Sequence, residues 1–161
     1  MLAAKEADRQ FMQMAIDKAR EGIAQGQTPF GACIVKDGEV ISCEHNVVWA
    51  TKDITAHGEV HALRVACQKL NDINLEGCVI YSTCEPCPMC FSACHWAQIT
   101  KIVYGAGIED AQKAGFNELA ISNVDLKEKG GSSVEIVAHF MREENVALFE
   151  EWVARTDKRL Y

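Results

Sequence analysis

A cluster of four cysteines in the middle of the chain constrains the fold more than any other feature: Cys84, Cys87, Cys90 and Cys94. The chain has eight cysteines in 161 residues, below the share of about 8–10% that marks a short disulfide scaffold. Residues 1–10 lack the apolar stretch of a secretory signal, and no apolar run approaches the roughly 20 residues that span a membrane. We therefore expect a cytoplasmic protein in a reducing compartment, where clustered cysteines more often bind metal or do chemistry.

Hydrophobic periodicity predicts alternating helices and strands along the rest of the chain. Apolar residues at helical spacing predict helices over about 3–25, 57–70, 87–97 and 142–158, with shorter helical fragments within 109–130. Short apolar or alternating runs predict strands at 30–36, 39–43, 78–83, 101–106 and 133–140. Asp37-Gly38 between the first two strands is a strong hairpin signal, and residues 46–55 are predicted to form a polar loop.

The length and the order of these elements indicate the fold class. A chain of 161 residues with 48% hydrophobic residues can bury one sizeable core, and no internal repeat or long linker divides it. Strands that alternate with helices predict an α/β fold, in which helices cover both faces of a central sheet. We therefore expect a single domain over residues 1–161.

The segment Pro86-Cys87-Pro88-Met89-Cys90 can supply half of a tetrahedral metal site. Proline is favoured at the first helical position, so Cys87 and Cys90 are expected in the first turn of a helix, where residues three apart share one face. The positive end of the helix dipole also lowers the pKa of a thiol placed there. Two thiolates arranged in this way are typical zinc ligands.

An upstream pair, His57 and Glu59, gives these cysteines a catalytic interpretation. His57 can supply a third ligand, and a zinc with three protein ligands keeps a fourth position for water, as catalytic sites do. A carboxylate beside the metal, itself not a ligand, can then carry a proton to the leaving group, and Glu59 is the candidate. The combined pattern H-x-E…P-C-x-x-C is typical of zinc deaminases.

Two other interpretations use the same cysteine cluster. Its spacing is that of a bacterial ferredoxin segment, so an iron–sulfur protein is one alternative, although the proline expected after the last cysteine is His95 here. A structural zinc held by four cysteines, or by three and a histidine, is the other alternative. Both interpretations leave Glu59 without a role, which favours the deaminase.

Several segments resemble the cytidine and deoxycytidylate deaminase superfamily. Within it, the resemblance is greatest to bacterial guanine deaminases and plant guanosine deaminases, with the tRNA adenosine deaminases further off. It lies in residues 29–32 (Pro-Phe-Gly-Ala), 55–59 (Thr-Ala-His-Gly-Glu), 63–67 (Leu-Arg-Val-Ala-Cys) and 82–90 (Ser-Thr-Cys-Glu-Pro-Cys-Pro-Met-Cys). The resemblance implies a three-layer α/β/α sandwich with a five-stranded mixed sheet, and a homodimer.

The same resemblance implies one zinc ion per subunit, with a bound water or hydroxide. Three residues would hold the metal: His57, Cys87 and Cys90. Glu59 would be the proton shuttle, and Cys84 and Cys94 would be buried non-ligands behind the site. The family usually has alanine where this chain has Gly58, a change that could leave space above the metal.

The resemblance also implies a set of substrate contacts. Asn46 matches an asparagine that hydrogen-bonds the substrate, and Phe30 and Trp96 match aromatic residues that line the pocket. Guanine deaminases that resemble this chain have aspartate where it has Glu118, which is expected to accept hydrogen bonds from the purine ring with one more methylene of reach. The terminal Tyr161 is expected to close over a pocket, in its own subunit or in a partner.

The charge balance helps to choose the substrate. The chain has 23 acidic and 16 basic residues, a net charge of −7, which disfavours nucleic acid because such binding depends on lysine and arginine contacts to phosphates. The charge therefore favours a small substrate over tRNA. With this, the resemblance implies a zinc-dependent hydrolase of purine metabolism that deaminates a free purine base or nucleoside, first of all guanine to xanthine and ammonia. A tRNA adenosine deaminase and a deaminase of another small amino-heterocycle are the alternatives among enzymes.

Overall fold

The computed structural model describes residues 2–161, with side chains from Lys5 onward. In this part of the chain helices and strands alternate, as the periodicity predicts. The helices are α1 (Leu2–Ala24), α2 (Val48–Thr51), α3 (Gly58–Leu70), α4 (Pro88–Trp96), α5 (Ile108–Lys113), α6 (Asn123–Gly130) and α7 (Arg142–Val153). The strands are β1 (Gly31–Lys36), β2 (Glu39–His45), β3 (Cys78–Cys84), β4 (Lys101–Ala106) and β5 (Glu135–Val137).

The strands form one mixed sheet in the order β2-β1-β3-β4-β5. β1 pairs antiparallel with β2 and with β3, whereas β4 and β5 continue the sheet in parallel. Gly31 lies opposite His45, and Ala32 lies opposite Ser82. The start of β1 and the ends of β2 and β3 therefore meet at one edge of the sheet, and the residues that follow or precede them converge there.

Helices cover both faces of the sheet and complete the three layers that the resemblance implied. On one face α1 and α7 pack against the sheet through a buried apolar cluster that includes Met12, Ile16, Leu148, Phe149 and Trp152. On the other face α3 and α4 pack through a second cluster that includes Ala62, Leu63, Ala66, Phe91 and Cys94. Within residues 2–161 no helix combines the length and the hydropathy needed to cross a membrane.

Three elements differ from the sequence prediction. The polar loop at 46–55 contains the short helix α2. β5 is shorter than the predicted strand at 133–140, because His139 and Met141 adopt positive φ angles of 58° and 50°, which end the extended backbone. α7 ends at Val153 because residues 155–159 are polar and offer no apolar face to bury. The chain then turns back towards the sheet edge and ends there at Tyr161.

Candidate active site

Two helix N-termini meet at the sheet edge and bring three metal-ligating side chains together. His57 is the N-cap residue of α3, Cys87 is the N-cap residue of α4, and Cys90 lies within the first turn of α4. Both helices direct the positive ends of their dipoles to this point, which favours ionised thiols. Hydrogen bonds from Cys90 and from His57 lower the pKa of Cys87 to about 4, so this thiol is ionised at neutral pH.

The three ligand atoms fit a tetrahedral zinc ion. Nδ1 of His57 lies 3.6 Å from Sγ of Cys87 and 3.5 Å from Sγ of Cys90. Zinc bonds of about 2.3 Å to sulfur and 2.0–2.1 Å to nitrogen, at tetrahedral angles, place nitrogen and sulfur roughly 3.6 Å apart. Three protein ligands leave the fourth corner open, which suits a catalytic zinc better than a closed structural one.

Two cysteines of the cluster lie apart from these ligands, in the core. Cys84 is 4% exposed and packs on the α1 side of the sheet, whereas Cys94 is fully buried on the α3 side. Burial raises the pKa of both thiols, which keeps them neutral. Within the described residues, neither belongs to the group of ligand atoms formed by His57, Cys87 and Cys90, which agrees with a packing role.

Glu59 places a buried carboxyl group beside the proposed ligands. Its residue is 6% exposed; Oε1 lies 3.2 Å from the hydroxyl of Ser82, and Oε2 lies 3.5 Å from Sγ of Cys90. Burial raises the pKa of Glu59, and the nearby thiolate of Cys87 acts in the same direction. A carboxyl group in this position, with a raised pKa, can take up and release a proton next to a metal.

A cavity of about 280 Å³ opens beside two of the ligand residues, His57 and Cys87. Its volume is close to the lower limit of about 300 Å³ for small-molecule pockets, a size that suits a single heterocycle. Burial, together with the charges of Cys87 and Glu59, raises the pKa of Glu118 in its wall to about 7. The lining residues include Ile54, Met89, Phe116, Glu118, Leu119 and Tyr161. A narrow extension of this space reaches Phe30 and Glu59.

The C-terminal residue closes one side of the cavity. The hydroxyl of Tyr161 accepts a hydrogen bond of 2.7 Å from Nδ2 of Asn46 and lies 3.4 Å from the hydroxyl of Thr28. The Tyr161 ring also lies 5.5 Å from the ring of His57. Oδ1 of the fully buried Asn46 accepts the backbone N–H of Val48 at 3.0 Å, so the side-chain amide is held in one orientation.

The structure corrects the sequence interpretation of Trp96. Its side chain is 82% exposed at the end of α4 and does not line the cavity beside His57. Trp96 is six residues beyond Cys90, so it lies about 9 Å further along the helix and is turned away from the face that carries the cysteines. Phe30, by contrast, lines the narrow end of the cavity and packs edge-on against Phe116, with ring centroids 5.0 Å apart.

Gly58 faces the protein backbone and does not open space above the metal. A Cβ atom at this position would lie 3.2 Å from the carbonyl oxygen of Phe30 and 3.5 Å from the amide nitrogen of Asn46. Glycine therefore allows α3 to begin close to the start of β1 and the end of β2. The alanine that is usual in the family would press against this backbone.

Sequence reasoning missed two polar residues of the site. Ser82 lies on β3 within reach of Glu59, but alternation on a buried strand does not reveal which hydroxyl meets a carboxyl group. Thr28 precedes a proline in the loop after α1, and its position near Tyr161 depends on a contact across 133 residues of sequence. No local sequence pattern predicts a contact between residues so far apart in the chain.

Comparisons with known proteins agree with this geometry. The family described as the cytidine and deoxycytidylate deaminase zinc-binding region matches residues 5–106. The guanine deaminase of Bacillus subtilis (strain 168) is 38% identical over 155 residues, which cover 94% of this chain and 97% of that protein. The tRNA-specific adenosine deaminase of Aquifex aeolicus (strain VF5) is 45% identical over 96 residues, 60% of this chain and 64% of that protein. The structure of guanine deaminase from Nitrosomonas europaea aligns with a TM-score of 0.83 at 26% identity, covering 90% of this chain and 84% of that chain.

The family match and the site geometry concern the same residues. The matched segment contains His57, Glu59, Cys87 and Cys90, and it covers more than half of the chain. The fold of the solved guanine deaminase extends the likeness to most of the remainder. The chain therefore belongs to the cytidine and deoxycytidylate deaminase family and is a zinc-dependent aminohydrolase.

Proposed function

We propose that the enzyme hydrolyses guanine to xanthine and ammonia in the cavity beside His57 and Cys87. The observation that carries this proposal is Glu118, a half-buried carboxyl group in the cavity wall. Guanine presents a ring N–H next to its amino group, and one carboxylate can accept hydrogen bonds from both. The same edge of adenine has no ring N–H. Similarity to a guanine deaminase over 94% of the chain supports the same choice of substrate.

The proposed reaction adds water to the ring carbon that bears the amino group. When bound by His57, Cys87 and Cys90, zinc supplies a Lewis acid that makes a coordinated water acidic near neutral pH. Glu59 takes a proton from the attacking water and gives it to the neighbouring ring nitrogen. Glu59 then carries a proton from the new hydroxyl group to the departing amino group. Guanine and water are thereby converted to xanthine and ammonia.

Three further residues are proposed to hold the base in place. Phe30 offers a ring at the narrow end of the cavity, near Glu59. Asn46 would bind the substrate through its side-chain amide, whose orientation the N–H of Val48 fixes. Tyr161 covers the cavity from the side of His57 and restricts the entry of water.

A tRNA adenosine deaminase is the second candidate among enzymes. It is favoured by the 45% identity to the Aquifex aeolicus enzyme, although that match spans 60% of this chain. The net charge of −7 opposes it, because tRNA binding requires many contacts from basic side chains to phosphates. The match to the Bacillus enzyme covers 94% of the chain and includes the C-terminal segment that carries Glu118.

A screen for ammonia release tests the proposed substrate. The zinc-loaded enzyme would be incubated separately with guanine, guanosine, adenine, adenosine, cytosine, cytidine, aminated triazines and pterins, and with an unmodified tRNA. We expect guanine to have the highest kcat/KM. Release from the tRNA with a higher kcat/KM, weakened steeply by salt, would select the second candidate.

Replacing the carboxyl group of Glu118 tests how guanine is recognised. Glu118→Gln keeps the length of the side chain but loses one acceptor, so we expect kcat/KM for guanine to fall by roughly 10–100-fold. The control is Glu128→Gln, which makes the same charge change on the exposed face of α6 and should leave kcat/KM unchanged. Equal activity of the two variants would remove Glu118 from substrate binding.

We also propose that the enzyme is a homodimer that associates through α3 and α4. A hollow of about 600 Å³ lies between these helices, with Val60, Leu63 and Cys67 in its wall. Two large apolar residues at its rim, Ile73 and Trp96, are each 82% exposed. Apolar side chains grouped in this way are typical of interaction surfaces.

Disruption of this surface is expected to produce monomers. Trp96→Asp places an unpaired charge within the proposed interface, so the mass of the variant by light scattering should be half that of the wild type. Val153→Asp is the control, since Val153 is 44% exposed on the opposite layer of the fold. A wild-type protein that runs as a monomer would contradict the dimer.

The remaining proposals concern the chain as a whole. We propose that residues 1–161 form one catalytic domain, which the match over 97% of the Bacillus guanine deaminase supports. None of the eight cysteines, all of which lie in the described part of the chain, forms a disulfide, in agreement with the cytoplasmic location that we propose. The proposed role in purine metabolism follows from the proposed substrate.

A further inference from the structure

A buried carboxyl group that the proposed chemistry does not use lies beside the metal ligands, in the wall of the narrow pocket that also contains Glu59. Glu85 follows β3, is 8% exposed, and precedes Cys87 by two residues. Its Oε1 accepts the backbone N–H of Asn123 at 2.8 Å, and its Oε2 accepts the backbone N–H of Ile108 at 3.4 Å. These two N–H groups belong to the first residues of α6 and α5, so one carboxylate accepts hydrogen bonds from the N-termini of two helices.

The side chain of Asn123 in turn forms a hydrogen bond to the segment that precedes the metal ligand Cys87. It is fully buried, and its Nδ2 donates a hydrogen bond of 2.7 Å to the carbonyl oxygen of Pro86. Its Oδ1 has no hydrogen-bond partner among the described residues. A buried amide oxygen without a partner lowers stability, so an aliphatic side chain would suit this position better if packing were its only role. What the carboxamide adds is its bond to Pro86.

Together these contacts join two parts of the active site. One part is the segment Pro86-Cys87, which carries a metal ligand. The other is the segment 114–122 between α5 and α6, which carries Glu118 in the cavity wall. The hydrogen bonds of Glu85 and Asn123 hold the starts of α5 and α6 against Glu85 and Pro86, the two residues that precede Cys87. We call these two residues the Glu85–Asn123 clamp.

We propose that the Glu85–Asn123 clamp positions Cys87 and the Glu118 segment relative to each other, so that both zinc affinity and substrate affinity depend on it. The two residues act through Cys87 and Glu118; the Glu85 carboxylate, which accepts the two helix N–H groups, also borders the narrow pocket beside Glu59. The part that concerns the substrate rests on the proposed function, whereas the part that concerns zinc does not. In metal sites, outer residues that orient a ligand typically affect metal affinity by about 10–100-fold.

The matched pair Asn123→Leu and Asn145→Leu tests the clamp. Asn145 is also buried, at 1% exposure, its Oδ1 also lacks a partner, and its Nδ2 donates to the carbonyl oxygens of Phe140 and Met141. It lies at the start of α7, on the other layer. Both variants are expected to lower the melting temperature. Only Asn123→Leu should weaken zinc binding, by about tenfold in competition with a chromogenic chelator.

Kinetics at saturating zinc separate positioning from loss of metal. For Asn123→Leu we expect KM for guanine to rise several-fold more than kcat falls, because the Glu118 segment moves while the metal is replenished. Asn145→Leu should keep the wild-type KM and kcat. If the enzyme deaminates none of the substrates tested, the zinc competition still decides the proposal. Equal zinc affinity of the two variants would overturn it.

A second pair of variants with more conservative substitutions tests the clamp if a leucine variant does not fold. Glu85→Gln keeps one acceptor and replaces the other by a donor that faces an N–H group, so it should weaken zinc binding in the same direction. Asp110→Asn is its control, since Asp110 is also buried and accepts the N–H of Gly107 at the start of α5, on the side of Arg142. A loss of zinc affinity in Asp110→Asn as large as in Glu85→Gln would overturn the clamp.

Discussion

Glu59→Gln is expected to lose deaminase activity by roughly 10²–10⁴-fold, the range that general acid–base catalysis contributes. Glutamine retains the length of the side chain and can still bond to Ser82, so the fold and the ligands His57, Cys87 and Cys90 should be undisturbed. What it lacks is a group that can accept and release a proton. The measurement is kcat for ammonia release at saturating guanine, with the zinc content of each preparation determined in parallel.

The control for this variant is Glu143→Gln, which neutralises an exposed acid in the first turn of α7. It should retain the wild-type kcat. A Glu59→Gln enzyme that turns over at the wild-type rate with its zinc in place would show that another group moves the proton. Loss of zinc from Glu59→Gln would instead show that the carboxylate acts as a ligand.

Cys87→Ala is expected to lose zinc, activity and stability together. The variant removes the thiol that is most readily ionised at the site. A metal that binds only the folded protein stabilises it by roughly 4 kcal/mol when the free metal is a thousandfold above its dissociation constant, and Cys87→Ala should forfeit this contribution. The measurements are zinc per chain, and the urea midpoint with and without added zinc.

Cys94→Ala is the matched control for the ligand variant. Cys94 lies on the same helix, four residues after Cys90, and is fully buried in the core. Removing its sulfur leaves a small cavity, at a cost of about 1 kcal/mol, but should preserve one zinc per chain. If Cys94→Ala lost its metal while Cys87→Ala kept it, the assignment of the two cysteines would be reversed.

The local parts of the site could be predicted from the sequence because their geometry is set by helix starts. Cys87 and Cys90 lie three residues apart at the start of α4 after a proline, so their spacing places both on one face. His57 and Glu59 lie two residues apart at the start of α3, so the sequence places both at one helix N-terminus. The sequence does not predict that the N-termini of α3 and α4 lie close together. That follows from the register of β1 with β2 and β3, which brings their ends to one edge of the sheet.

Contacts between distant segments account for what the sequence did not reveal. Tyr161 and Asn46 were identified by resemblance, since 115 residues separate the two groups that hydrogen-bond. The resemblance implies that Trp96 lines the cavity, but its position six residues beyond Cys90 turns its side chain away from the face that carries the cysteines. The bond between Glu85 and Asn123 spans 38 residues and leaves no local pattern.

Titration of the metal-free enzyme with zinc tests the central claim most directly. Each addition would be followed by an assay of ammonia release from guanine and by measurement of bound zinc. Since His57, Cys87 and Cys90 are the one group of possible metal ligands within the described part of the chain, activity is predicted to rise linearly and to level off at one zinc per chain. Full guanine-deaminating activity without zinc, or none with one zinc bound to each chain, would contradict the account.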